Sequence, residues 1–200
     1  MSNFSLAASR PVLADRLGAH TIVADLGLVA AGAALTAVAA QITIPMWPVP
    51  ITGQTFAVLL VGTTLGAARG SISMALYMVL GAIGLPIFTA GKSGLAYIAG
   101  PTGGYLIGFV LAAALTGWLA QRQWDRKVLG AFLTFLIGSV AIYAVGLPWL
   151  SVVLGQLGRP NDVLATLQAG LFPFIPGDIL KAVLAGALLP TTWKLVSRSK

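Results

Sequence analysis

A chain of 200 residues that is 58% hydrophobic and 8% charged lies far from the roughly 25% charged residues of a soluble globular domain, and its mean hydropathy of +0.92 reads as an integral membrane protein. Having no cysteine excludes disulfide frameworks and thiolate metal sites, and the single histidine, His20, leaves no basis for zinc chemistry. The net charge of +7 does not point to nucleic acid, because the basic residues flank apolar runs, where they act as membrane topology signals.

At about 20 to 25 residues per span plus loops, the chain has room for five or six helices in one membrane domain over 1–200: a polar segment over 1–24, then a bundle over about 25–196. The polar segment carries Arg10, Arg16 and His20 and lacks the apolar core and cleavage site of a signal peptide. The first span runs from about Asp25 to Thr43. Within it Ala30 and Ala34, and Ala33 and Ala37, stand four residues apart, a spacing of small residues that lets another helix approach closely. That partner is either internal or another subunit. Three prolines in Ile44-Pro45-Met46-Trp47-Pro48-Val49-Pro50 cannot all sit in one helix, so an irregular loop follows, with Trp47 at the membrane interface. Gln54 is a polar group entering the next apolar run, either solvated at a helix start or turned inward to a ligand.

Two short apolar stretches come next, about Phe56 to Ala67 and Ser71 to Leu85, divided by Gly66, Arg69 and Gly70. They read as two short spans or, less well, as one re-entrant hairpin. A helix that stops short leaves a cavity, and broken segments border transporter sites. From Pro86 to Gly103 the chain is glycine-rich yet carries Leu95, Tyr97 and Ile98; it suits a lid over a pocket or a turn with a short interfacial helix. Gly91-Lys92-Ser93 is not a phosphate-binding loop, since Pro86 stands where the upstream glycine belongs. The fourth span, to about Ala120, opens at Gly103 and Gly104, with Gly104 and Gly108 spaced for close packing. A basic turn over 121–127 leads to a fifth span from about Leu129 to Val153, kinked near Gly146 and Pro148, then to a polar segment over 155–168 and the last span, which ends at Lys194, Arg198 and Lys200.

With six spans, one side holds Arg10, Arg16, Arg69, Arg122, Arg126, Lys127, Lys194, Arg198 and Lys200, the other Lys92 and Arg159. Both termini are therefore predicted to be cytoplasmic, and the proline loop, the glycine-rich loop and the head of the last span gather outside.

The last span begins Phe174-Ile175-Pro176-Gly177-Asp178-Ile179-Leu180-Lys181. Asp178 reads as the only acid inside an apolar segment, and Lys181 three residues on shares its helix face. With Trp193 and Lys194 taken to mark the inner membrane interface, Lys181 stands twelve residues before Trp193, about 18 Å along a helix, which puts the pair within a hydrocarbon core about 30 Å thick. A helix starting near Pro176 or Gly177 favours a carboxylate in its first turn and disfavours Lys181 there; the lysine needs an anion. The pair is either a satisfied cap or shared with a ligand, Asp178 accepting from N–H groups and Lys181 donating to a carbonyl or carboxylate. Lys92, in the glycine-rich loop, is a second cation for a ligand carboxylate or simply solvated. No Ser–His arrangement, paired carboxylates, metal-ligand cluster or nucleotide motif is found, so the chain reads as no enzyme, with no catalytic or metal residues and no cofactor. A pocket without an energy source implies a borrowed one.

Pro48-Val49-Pro50-Ile51-Thr52-Gly53-Gln54-Thr55, Gly100-Pro101-Thr102-Gly103-Gly104-Tyr105-Leu106-Ile107-Gly108-Phe109 and the Phe174 to Lys181 stretch together resemble the three ordered signatures of the BioY family, the biotin-specific substrate-capture (S) components of energy-coupling factor (ECF) transporters. The resemblance covers the chain from the first span to the last. It implies an all-α, six-helix S-component fold in the bacterial cytoplasmic membrane, a biotin pocket open to the outside, and partners comprising a transmembrane coupling protein and two ATPases, which alone use ATP. It also implies that Ala30, Ala33, Ala34 and Ala37 touch the coupling protein, that Asp178 and Lys181 contact the biotin head group, and that Lys92, where the family often has arginine, meets the valerate end. Gln54, Tyr97 and Tyr105 are pocket-lining candidates by position. Biotin's ureido donors and carbonyl, apolar thiophane and carboxylate match such a pocket. Two other readings are a self-sufficient secondary importer, which would need a coupling-ion site and so a second buried acid, and a non-transporting assembly subunit, which would not need Lys181.

Overall fold

The computed structural model describes residues 11–16 and 21–198. Thr21 opens the first helix, α1 (Ile22–Ala39), its hydroxyl accepting from the Ala24 N–H at 3.2 Å and so satisfying one of the free donors of the first turn. The chain then reverses through a two-stranded antiparallel hairpin, β1 (Thr43–Ile44) with β2 (Ile51–Thr52), in which Thr43 faces Thr52. Pro45, Pro48 and Pro50 fall in its connection, where a missing N–H breaks no ladder bond.

Helix α2 (Gln54–Leu65) and helix α3 (Ala67–Ala82) are separated by Gly66 alone. Its φ of +86° is one that a side chain would strain. A short helix, α4 (Leu95–Ala99), leads into α5 (Gly103–Gln121), followed by α6 (Val128–Gln156), α7 (Val163–Gly170) and α8 (Ile175–Arg198). Helix α6 continues through Pro148, and α7, capped by the Asp162 carboxylate on the Ala165 N–H at 3.1 Å, occupies part of the segment read as merely polar.

Lipid is as apolar as leucine, so the helices associate by close packing, and the glycines show where. A Cβ on Gly62 would lie 2.6 Å from the Ala113 carbonyl, one on Gly70 2.8 Å from the Gly62 Cα, and one on Gly108 2.9 Å from the Ile142 carbonyl. These positions draw α2, α3, α5 and α6 into backbone contact around a core of Leu59, Met74, Tyr77, Phe109, Phe135, Ile142 and Leu150.

Among the described residues four segments are long and apolar enough to cross a membrane: Ile22–Ala39, Gly103–Gln121, Val128–Gln156 and Val163–Ser197. Helices α2 and α3 have 12 and 16 residues, about 18 and 24 Å. Seven of the 12 residues of α2 are buried. Its ends therefore meet protein, where irregular backbone is tolerated at membrane depth.

Two sequence expectations are corrected here. Arg69 does not stand in the turn that divides the second and third apolar stretches, because only Gly66 separates α2 from α3; it lies in the first turns of α3 and is 1% exposed. Its Nη2 is 2.5 Å from Asp15 Oδ1 and its Nε 3.2 Å from Asp25 Oδ1. Asp178 is accordingly not the only acid within the apolar body. Helix α1 starts a turn before Asp25, and Asp25 and Asp125 are 2% and 0% exposed. The other topology signals Arg10 and Lys200, the side chain of Arg198, and His20 lie outside the described residues.

Asp125 sits in the turn between α5 and α6, one oxygen accepting from Trp193 Nε1 of α8 at 2.5 Å. Burial pushes its carboxyl up to about 6, against the Trp193 hydrogen bond and the Arg126 charge. Because the folded state holds this proton more tightly than the unfolded chain, the contribution is full below about pH 4 and is lost as pH rises through about 6. The expected result is a melting temperature in detergent that falls over this interval, by the equivalent of roughly 3 kcal/mol, with a flatter profile in Asp125→Asn. An identical slope in the variant would assign the dependence to other groups.

Candidate ligand-binding site

The end of the bundle that carries the hairpin and α4 holds a narrow cavity of about 560 Å³, counted to its open mouth and including the solvent-filled space there. It lies at the start of α2, where that helix stops short and the chain before it, Val49 to Thr52, closes the space. Phe109, Ile142 and Phe174 make apolar walls, and Asp178, Lys181, Tyr143, Thr55 and Ser139 supply polar groups.

Helix α8 begins at Ile175 after a 3-10 turn over Phe172–Phe174, so Asp178 falls in its first turn, as the sequence predicts. Lys181 Nζ is 3.3 Å from Asp178 Oδ1 and donates to Thr55 Oγ1 of α2 at 2.6 Å. The Tyr143 hydroxyl of α6 donates to Asp178 Oδ2. The pair is 8% and 16% exposed at its side chains, and the attraction must offset the cost of holding both charges out of water. An ammonium has three donors and a carboxylate about four acceptor sites. The contacts named leave each with capacity toward the cavity.

The sequence candidates distribute around this centre. Gln54 is 4% exposed, which excludes the solvated reading; its Nε2 donates to the Tyr77 hydroxyl at 2.7 Å, and Thr89 donates to its Oε1 at 3.5 Å. Tyr77 in turn donates to the Ile87 carbonyl at 3.1 Å, while Gln41 reaches the Phe88 carbonyl and accepts from the Gly91 N–H at 3.1 Å. The glycine-rich loop, in which Ala90 has a φ of 56°, is thus tied down from the turn after α1, from α2 and from α3. Tyr105 lends its ring to the cavity and donates its hydroxyl to the Gly170 carbonyl at 2.9 Å. Tyr97, Thr89, Thr102 and Pro50 form the rim shared with a vestibule that also contains Trp47. Lys92 lines this vestibule and not the inner cavity, with Nζ 5.8 Å from the Tyr97 ring centre.

On α1 the two alanine pairs part company. Ala30 and Ala34 are exposed, Ala33 is 4% exposed, and Ala37 packs on the core. Sequence reasoning missed Tyr143, Thr55, Ser139 and Thr102. The spacing of Ser139 and Tyr143, four residues apart in an apolar helix, was a usable signal for a polar stripe. Thr102 Oγ1 is buried without a hydrogen-bond partner among the described residues, at the wall between cavity and vestibule; its place in the Gly100 to Phe109 stretch was the signal available for it.

The chain is 43% identical over 172 residues to the probable biotin transporter BioY of Lysinibacillus sphaericus, covering 86% of this chain and 87% of that protein. It is 38% identical over 165 residues to the biotin transporter BioY2 of Lactococcus lactis subsp. cremoris (strain MG1363), covering 82% and 87%. Among solved structures it is similar to the S-component for biotin from an ECF-type ABC transporter, with a TM-score of 0.73 and 31% identity over 86% of this chain and 92% of that one. A profile of the BioY family matches residues 9–198, and with cover that nearly complete the chain belongs to the BioY family.

Proposed function

We propose that this chain is a multi-pass membrane protein that captures biotin and passes it on with an ECF energising module, a coupling protein and ATPases that supply the work. The observation that carries this reading is the Asp178–Lys181 pair, anchored by Tyr143 and Thr55, facing an apolar cavity. Asp178 accepts from the ureido N–H groups, Lys181 donates to the ureido carbonyl, and Phe109, Ile142 and Phe174 cover the thiophane. The valerate then runs past Tyr97 and Tyr105 toward the vestibule, where Lys92 meets the carboxylate and Gln54 holds the wall.

In this reading the chain is a single membrane domain of six crossings, α2 and α3 being short ones, with both termini cytoplasmic and the cavity opening outward. Arg122, Arg126, Lys127 and Lys194 at one end, against Lys92 and Arg159 at the other, support that orientation. Ala30 and Ala34 give the coupling protein a close approach to α1, which Ala33 and Ala37 hold against the bundle. A secondary importer is less well supported for a reason that differs from the sequence argument. Buried acids exist, but Asp15 and Asp25 are paired with Arg69 and Asp125 with Trp193, and none lines the cavity.

Titration of the purified protein in detergent with biotin, alongside other vitamins, tests the assignment. Saturable one-to-one binding of biotin alone is expected, and folded protein that ignores biotin would overturn it. Tyr143→Phe removes one hydrogen bond to a charged acceptor, worth about 1.5 kcal/mol at the low end, so its biotin affinity is expected to fall about tenfold. Unchanged affinity would reduce Tyr143 to a packing residue.

A further inference from the structure

At the opposite end of the bundle Arg16, Arg126 and Lys194 gather around Trp193 in a depression of about 730 Å³, counted to its open mouth and completed by Pro190 and Ser197. The Arg126 guanidinium lies 4.3 Å and that of Arg16 5.9 Å from the Trp193 ring centre. Among the described residues no carboxylate oxygen comes within ion-pair distance of these three cations. The nearby acid, Asp125, accepts from the Trp193 indole at 2.5 Å and is fully buried. Arg126 Nη2 reaches the Pro11 carbonyl at 3.4 Å, whereas its Nε is buried with no hydrogen-bond partner among the described residues.

Three converging cations repel one another, and a buried N–H without an acceptor is costly. An anion with several oxygens relieves both. The depression also opens onto apolar surface. Gly186, four residues before Pro190, lets α6 come close, so that Val128 Cγ1 lies 3.5 Å from where a Cβ would stand. Val128 is 65% exposed, and Val183, seven residues before Pro190 and on the same face of α8, is 54% exposed. An apolar seam between α6 and α8 thus runs from the basic mouth along the bundle.

We infer that this depression is a binding site for the phosphate headgroup of an anionic phospholipid, with Arg16, Arg126 and Lys194 on the phosphate and an acyl chain along the α6–α8 seam. Free phosphate shares the headgroup chemistry but would use only the cations. Basic pockets between membrane helices favour such headgroups, and each nearby cation is worth about 1 kcal/mol, or roughly fivefold in affinity.

The test measures binding of dioctanoyl phosphatidylglycerol, dioctanoyl phosphatidylcholine and inorganic phosphate to the purified full chain in neutral detergent. The anionic lipid is expected to bind at least about tenfold more tightly than the other two. Arg126→Gln and Lys194→Gln should each weaken it about fivefold, with elution volume and lipid-free melting temperature as folding controls. Equal affinity for both lipids, phosphate binding as tightly as the anionic lipid, or full affinity in both variants would each overturn the site. Lys194 is exposed, so its variant decides the matter if Arg126→Gln does not fold.

Discussion

Lys181→Ala is expected to weaken biotin binding roughly a hundredfold. The side chain stands between Thr55 and Asp178, at 2.6 and 3.3 Å, in a cavity whose other walls are largely apolar. In the proposed binding mode, removing it deletes the donor for the ureido carbonyl and strips Asp178 of its cation. One charge-assisted hydrogen bond is worth about 1.5 to 3 kcal/mol. The carboxylate left without its cation adds a further penalty. Asp178→Asn should lose a similar amount from the other side, because Lys181 then loses its counter-charge and the ureido N–H groups lose a charged acceptor. Thr55→Val, which leaves both charges in place, should cost less than either. Calorimetric titration of folded variants orders the three, and wild-type affinity in both charge variants would remove the pair from the site.

Arg69→Leu is expected to destabilise the fold by about 3 to 5 kcal/mol, the cost of breaking a buried ion pair by removing one partner. Arg69 lies between Asp15 and Asp25, with all three side chains 2 to 4% exposed, and it joins α3 to α1 and to the turn over Leu13–Arg16. Its loss leaves two carboxylates buried together. Adding Asp15→Asn and Asp25→Asn should return part of the loss, because those charges then no longer need a cation. Melting in detergent measures the effect; a single variant that melts like the parent would mean that water reaches these carboxylates. Biotin affinity of surviving folded protein should change little, since none of the three residues lines the cavity.

Much of this was legible in one dimension. Apolar runs interrupted by prolines and glycines located the six main helices, because the bilayer demands long apolar segments and the breakers cannot continue them. Gly104 and Gly108 announced the close approach of α5 to α6 that Ile142 confirms. Asp178 and Lys181 announced a site because ionisable groups in such surroundings are costly. Arg69 misled, since a basic residue between two apolar runs has the same local signature whether it is solvated in a turn or buried against Asp15 and Asp25. The small-residue pairs of α1 showed that helices could approach there, yet only the packed bundle turns Ala30 and Ala34 outward and Ala33 and Ala37 inward.

The sequence by itself determined the class of molecule, the order of its apolar segments, and the charged pair at the head of the last one, because hydropathy, helix breaking and i to i+3 spacing are properties of neighbouring residues. The tertiary structure alone decided that Tyr143 meets Asp178 across 35 residues and Thr55 meets Lys181 across 126, and that Lys92 stands in the vestibule apart from the inner cavity. Contacts between distant segments depend on how helices of unequal length stack and on where a short one leaves space, and no local pattern encodes that.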